Sequence, residues 1–133
     1  MGKPAHATDA CPCGQPGGYA DCCGRYLERG EPAPTAEALM RSRYSAYARG
    51  DETYLLSTWS PATRPAALNL KDDTATQWIG LAVKHYAEQD ARHATVEFVA
   101  RYKVNGRAHR LHELSRFVCE AGRWLYVDGE TPA

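Results

Sequence analysis

Val96-Glu-Phe-Val-Ala-Arg-Tyr-Lys-Val-Asn-Gly-Arg-Ala-His-Arg-Leu-His-Glu-Leu-Ser-Arg-Phe117 decides the fold class of this chain. Asn105-Gly106 separates two runs rich in β-branched and aromatic residues. Asn-Gly is the strongest short hairpin signal, because both central residues of a tight turn need positive φ. A two-residue loop here joins strands over 94–104 and 107–120. It sets Phe98 opposite Glu113, Ala100 opposite Leu111 and Val96 opposite Ser115. Ala121-Gly122 reads as a second two-residue turn, followed by a strand over 123–127. Phe117 then opposes Tyr126, Cys119 opposes Trp124 and Ser115 opposes Asp128. One face collects Val96, Phe98, Ala100, Tyr102, Leu111, Phe117, Cys119, Trp124 and Tyr126, and is the core face. Glu113, Ser115 and Asp128 share it. A three-residue second turn would instead send Tyr126 and Asp128 to the other face.

Working outward, residues 77–88 read as an earlier strand carrying Trp78 and Tyr86. The preceding half is helical. Thr35 is an N-cap, Glu37 lies in the first turn and Gly50 is the stop. Leu39, Met40, Tyr44 and Tyr47 recur at helical spacing. Asp51 caps a second short helix that runs to about Thr58, and Ser60-Pro61 breaks the pattern. Residues 66–76 are ambiguous, with a third short helix as one reading. A few helices followed by a curved antiparallel sheet make an α+β cone.

Arg43 interrupts the apolar helical stripe. A buried Arg needs an anion or a route to water. Carboxylates on a core face are costly unless partnered. The helix must cover the same sheet, so Arg43 is expected to reach Glu113 or Asp128. Such a contact is either a structural ion pair or the polar end of a pocket lined by Arg43, Tyr44, Trp59, Glu113, Asp128 and Tyr126.

Four of the five cysteines fall within thirteen residues, as Cys11-Pro-Cys13 and Cys22-Cys23. Two close pairs of thiolates joined by a short loop supply the four soft ligands of a tetrahedral zinc site. The alternative is disulfide pairing, but adjacent cysteines seldom bridge each other without strain, and nothing else points to secretion. Four thiolates leave no open position, so the zinc expected at Cys11, Cys13, Cys22 and Cys23 is structural. The chain divides into a knuckle over 1–26, a Gly/Pro-containing linker over 27–34, and a main domain over 35–133.

The run from Cys11-Pro-Cys-Gly-Gln-Pro-Gly-Gly-Tyr-Ala-Asp-Cys-Cys-Gly24 resembles the SEC-C motif, the zinc knuckle at the C-terminus of the SecA translocase. Leu39-Met-Arg-Ser-Arg-Tyr-Ser-Ala-Tyr47, Tyr54-Leu-Leu-Ser-Thr-Trp-Ser-Pro61, Glu113-Leu-Ser-Arg-Phe117 and Gly122-Arg-Trp-Leu-Tyr-Val-Asp-Gly129 resemble the YchJ family. The resemblance spans about residues 11–129. It implies a cone similar to nuclear transport factor 2 behind a zinc knuckle, and a fold more than an activity. In that superfold the helices close over the concave sheet face and leave a cavity. Two departures stand out. Gln15, Pro16 and Asp21 occupy a loop that is lysine-rich in SecA, and the 133 residues carry one SEC-C-like run where many YchJ-family chains carry two, so a role that needs two knuckles is not expected.

Sixteen Lys+Arg balance sixteen Asp+Glu, which gives no net attraction to nucleic acid or anionic membrane. No run of 18 apolar residues is present. The first ten residues do not read as a signal peptide, so the expected compartment is the cytoplasm. Two functions follow from different classes. One is a protein-interaction module in which the knuckle docks on a protein partner. The other is a small-molecule enzyme or binder using the cone cavity. A homodimer through the outer sheet face is compatible with both. His112, on the outer face, lacks a visible base partner in the sequence, and Cys119 reads as an inert thiol.

Overall fold

The computed structural model describes residues 10–73 and 75–132. The first nine residues of the expected knuckle lie outside them. Asn105 and Gly106 both adopt positive φ, at 50° and 82°, and so do Ala121 and Gly122, at 53° and 79°. Both turns are therefore two-residue loops whose backbone twist matches that of the strands they join. They link β2 (His93–Val104), β3 (Arg107–Glu120) and β4 (Arg123–Glu130). With β1 (Thr76–Asp90) these form one antiparallel sheet in the order β1-β2-β3-β4. The β2–β3 register is the expected one, with Phe98 opposite Glu113 and Val96 opposite Ser115.

The sheet curves because its edge strand is bulged. β1 carries irregularities at Trp78/Gly80, Val83/His85 and Glu88/Asp90 against β2. Each adds a residue on one side of the pairing, bends the strand and increases the local twist. Three such bends in one edge strand roll the sheet into a cone and point Trp78, Leu81, Val83 and Tyr86 toward its concave side.

A further bulge in the last hairpin changes the inner face. Phe117 pairs with Tyr126 as expected, but the register then shifts, and Arg116 pairs with Asp128 while Ser115 pairs with Gly129. Asp128 is therefore on the outer face, not the inner one. Its Oδ1 accepts a hydrogen bond from Arg116 Nε at 2.6 Å in an exposed ion pair. A single inserted residue inverts the side on which every later side chain emerges. Tyr126, before the bulge, keeps its inward position.

Among the described residues there are three α-helices, of which the longest crosses the concave face of the sheet and the other two pack against that helix. α1 (Gly24–Leu27) is one turn. α2 (Ala36–Arg49) starts where Thr35 Oγ1 accepts from Ala38 N at 3.0 Å and ends at Gly50 in the left-handed conformation. α3 (Glu52–Ser57) starts where Asp51 Oδ1 accepts from Tyr54 N at 3.0 Å. Both caps satisfy backbone donors that the first turn leaves free. Among its described residues, the ambiguous stretch before β1 contains a single 3₁₀ turn, Leu70–Asp72, and no α-helix. α2 lays Leu39, Met40 and Tyr44 against Val96, Phe98, Ala100, Phe117 and Trp124, with Tyr26 of α1 and Ala33 completing the cluster.

The cysteine segment packs against this body. A 3₁₀ turn, Tyr19–Asp21, joins the two cysteine pairs. Arg41 Nη1 of α2 donates to Cys13 O at 3.2 Å, and Ser45 Oγ lies 3.5 Å from Cys11 Sγ. Arg49 at the end of α2 stands 3.9 Å over the Tyr19 ring, whose hydroxyl donates to Glu28. Residues 27–34 thus connect two parts that touch along α2, and they include the buried Ala33.

Leu39 is 1% exposed at the centre of the core, whereas Ile79 on β1 is 47% exposed. Leu39→Ala is expected to cost about 2–5 kcal/mol in urea unfolding, and Ile79→Ala to stay within about 0.5 kcal/mol. Equal losses at the two positions would contradict the placement of α2 over the sheet.

Candidate ligand cavity and cysteine cluster

Between α2 and the sheet lies a cavity of about 260 Å³. Its floor is the inner face of β2 and β3, including Phe98, Ala100, Glu113, Ser115 and Phe117. Its roof is the lower face of α2, with Met40, Arg43, Tyr44 and Tyr47. Trp59, Trp78 and Tyr126 complete the walls. Of the residues expected to line a pocket, Arg43, Tyr44, Trp59, Glu113 and Tyr126 border this space. Asp128 does not, because the β4 bulge turns it outward. Tyr47, Trp78 and Leu111 also border an adjoining groove beside Leu70 and Asp73.

Arg43 is the chemically unusual wall. It is only 6% exposed, yet it forms no ion pair among the described residues. The expected contact with Glu113 or Asp128 is absent. Nη1 instead donates to Leu55 O at 2.8 Å and to Thr58 Oγ1 at 2.7 Å. Leu55 and Thr58 belong to the end of α3, so that helix turns the guanidinium away from the sheet's carboxylate. Burial lowers the Arg43 pKa, and surrounding groups including Tyr47, Tyr126 and Glu113 counter this. The side chain stays cationic, as arginine does throughout the accessible pH range.

Two aromatic rings flank the guanidinium. Its carbon lies 4.6 Å from the Tyr126 ring centroid and 5.0 Å from that of Trp59. Ring faces supply negative potential without neutralising the charge. Trp59 comes from a segment with no strand signal. Backbone bonds Tyr126 N to Thr58 O at 2.8 Å and Ser60 N to Tyr126 O at 2.7 Å attach this segment to β4. The attachment is a single parallel bridge that sets the Trp59 and Tyr126 rings edge-to-face, 4.9 Å apart. Trp59 Nε1 is buried without a hydrogen-bond partner among the described residues, at a cost of about 1–3 kcal/mol. The indole therefore serves this site through its face rather than its donor.

Glu113 is held by other groups. Its Oε2 accepts from Ser115 Oγ at 2.6 Å and from Tyr126 OH at 3.1 Å. Burial first, and then the Glu113 charge, push the Tyr126 pKa upward, so this phenol remains a donor at neutral pH. The carboxylate lies directly over Gly129. A Cβ built there would collide with Glu113 Oε2 and with its carboxyl carbon. The bulge that removes Asp128 from the inner face thus brings a glycine into register, and the space it leaves is filled by Glu113.

The second cluster is at the other side of α2. Cys11, Cys13, Cys22 and Cys23 are all buried, and their four sulfur atoms lie within 4.8 Å of one another. None is disulfide-bonded, and the group could hold a metal ion. Without a cation the thiols compete. Hydrogen bonds from Cys13 and Cys23 lower the Cys11 pKa, whereas burial, followed by Cys13, raises that of Cys22 to about 12. Hydrogen bonding to Cys11 and Cys13 raises Cys23 further. A bound cation is what allows several such thiolates to coexist.

Elsewhere, His112 Nε2 lies 2.7 Å from Glu97 Oε2 on the outer face. This partner is two strand positions off the directly opposed residue, and a register diagram examined along diagonals would have revealed it. Cys119 is half-buried opposite Trp124.

With this geometry in place, residues 35–129 match the family described as the YchJ middle NTF2-like domain. The chain belongs to the YchJ family. A UPF0225 protein of Cupriavidus metallidurans is 60% identical, over 97% of this chain and 94% of that one. A UPF0225 protein of Chromobacterium violaceum is 58% identical, over 97% and 98%. Among solved structures, a SEC-C motif containing protein from Rhodopseudomonas palustris is 36% identical with a TM-score of 0.82, covering 92% of this chain and 98% of that one. A second, from Psychrobacter arcticus, is 30% identical with a TM-score of 0.78, covering 98% and 86%. This YchJ-family chain therefore combines a SEC-C-like cysteine knuckle with an NTF2-like cone, as its motifs implied.

The Gly129–Glu113 contact is testable. Gly129→Ala should displace Glu113 and shift the NMR signals of Ser115 and Tyr126 strongly, whereas Asp128→Asn should leave both nearly unchanged. The reverse pattern would show that Asp128, not Glu113, faces the cavity.

Proposed function

We propose that this YchJ-family protein binds a small organic anion in the cone cavity, and that a structural zinc in the cysteine knuckle braces the helix that carries its key residue. The observation behind this reading is Arg43. A buried cation with spare donors, bordering an aromatic-walled space and touching no carboxylate, is a site for a ligand's negative charge. The same residue in a purely structural role would be expected to bond the carboxylate across from it.

The knuckle acts as a brace more than as a docking arm. Its four sulfurs are buried, and Arg41 and Ser45 of α2 contact it while Arg43, Tyr44 and Tyr47 of the same helix face the cavity. Zinc suits the donor set. A Zn–S distance of about 2.3 Å in a regular tetrahedron places sulfurs about 3.8 Å apart. Cys13 Sγ and Cys22 Sγ are 3.6 Å apart, and all four lie within 4.8 Å. Such a closed site supplies folding free energy and no open coordination position. Four reduced thiols suit the cytoplasm, which is the compartment we assign.

Titration of the isotope-labelled chain with 3-phenylpropionate should produce saturable shifts at the indole signals of Trp59 and Trp78. Arg43→Met should weaken this binding about tenfold or more. Shifts confined to the outer sheet face, or unaffected by the substitution, would refute the cavity reading.

Metal analysis should find about one zinc per reduced chain. Cys22→Ser should lower that content and the melting temperature together. A metal-free chain with unchanged stability would refute the brace.

A further inference from the structure

Arg43 and Glu113 carry opposite charges, border one cavity and do not touch. Attraction across a low-dielectric space would draw them together if their side chains were free. Each is restrained instead. Leu55 O and Thr58 Oγ1 hold Arg43 Nη1, and the Trp59 and Tyr126 rings flank the guanidinium. Ser115 and Tyr126 hold Glu113 Oε2, while the absence of a side chain at Gly129 lets the carboxylate lie where it does. The separation is therefore built into the frame.

Both groups also keep unused capacity. Among the described residues, Arg43 Nε and Nη2 have no hydrogen-bond acceptor, and Glu113 Oε1 has no donor. A carboxylate satisfies planar guanidinium donors well. A ligand that was only an anion would fill that side while setting a second negative charge toward Glu113. A dianion such as a phosphate ester would worsen the repulsion. A simple amine would do the opposite, satisfying Glu113 and facing Arg43 with a like charge.

Building on the cavity reading above, we propose that the ligand is a small zwitterion of the amino-acid class. Its carboxylate is bound by Arg43 and its ammonium by Glu113, and an apolar, aromatic-sized remainder lies against Met40, Trp78 and Phe98. The size agrees. The cavity of about 260 Å³ is smaller than the roughly 300–1,000 Å³ of pockets for drug-sized ligands, which suits a single amino acid better than a nucleotide. The lining agrees too, because apart from Arg43, Glu113 and Ser115, the hydroxyls of its tyrosines and the indole N–H groups of its tryptophans, the lining side chains are apolar.

Calorimetric titration of the full chain, under reducing conditions, with three probes separates the possibilities. L-phenylalanine carries both charges, 3-phenylpropionate only the carboxylate, and 2-phenylethylamine only the ammonium. L-phenylalanine is expected to bind about tenfold or more tighter than either analogue, the return on one additional charge-assisted hydrogen bond. Glu113→Gln, close in shape to the native residue, should bring L-phenylalanine down to the affinity of 3-phenylpropionate. It should leave 3-phenylpropionate no weaker than before. Equal affinity of L-phenylalanine and 3-phenylpropionate for the unaltered chain overturns the zwitterion assignment and leaves the cavity reading standing, whereas equal affinity of L-phenylalanine and 2-phenylethylamine overturns both, because the carboxylate would then add nothing at Arg43. No binding of any of the three overturns both. The comparison on the unaltered chain requires no variant, so misfolding of Glu113→Gln would not rescue the proposal.

Discussion

A full positive charge sits inside this fold with no negative charge in contact. Taking an isolated charge from water into protein is costly unless polar groups replace its hydration. Around Arg43 that replacement consists of a helix-end carbonyl, a threonine hydroxyl and two ring faces. Much local architecture is arranged around it. The end of α3 stops where Leu55 O and Thr58 Oγ1 can accept from Nη1. The segment after it is tied to β4 at Tyr126, which brings Trp59 alongside. Glu113, the nearest candidate counter-charge on the sheet, is retained on other donors. The polarity of the cavity follows from this arrangement.

The cysteine cluster and the cavity are two sides of one helix. α2 contacts the knuckle through Arg41, Ser45 and Arg49 and faces the cavity through Met40, Arg43, Tyr44 and Tyr47. This fourteen-residue helix touches the cysteine segment directly, and in the reading proposed above the cysteines help to position it. Its partners on the sheet are hydrophobic and tolerate small translations, whereas the contacts of Arg41 with Cys13 O and of Ser45 with Cys11 Sγ are directional. The proposed brace thus acts on the site from outside, since no residue of the knuckle lines the cavity.

Much of the sheet was legible because two-residue turns leave no freedom in register. Asn105-Gly106 and Ala121-Gly122 set Phe98 against Glu113 and Phe117 against Tyr126, and Glu113 was placed on the inner face from those turns alone. The caps of α2 and α3 were equally readable, since Thr35 and Asp51 act on neighbours a few residues away. The errors lay where one residue too many had to be accommodated. The bulge beyond Phe117 carries no composition signal, and it exchanged Asp128 for Gly129 on the inner face. The Thr58–Ser60 bridge to β4 joins residues more than sixty positions apart, and nothing local announces it. The expected Arg43–carboxylate pair failed for the same reason, because α3 offered acceptors whose proximity depends on the angle between two helices.

What the sequence by itself determined was whatever rests on short-range geometry: turn type, strand register as far as Phe117, helix limits, and the grouping of four cysteines into two close pairs. These depend on backbone preferences and on side chains a few bonds apart. Only the tertiary structure decided which polar groups meet. It turned Asp128 outward, seated Glu113 over Gly129, joined Trp59 to Tyr126, and left Arg43 buried beside an open space. Those outcomes depend on bulges and packing angles, through which a shift of one residue or a few ångströms determines whether two charges neutralise each other or are held apart.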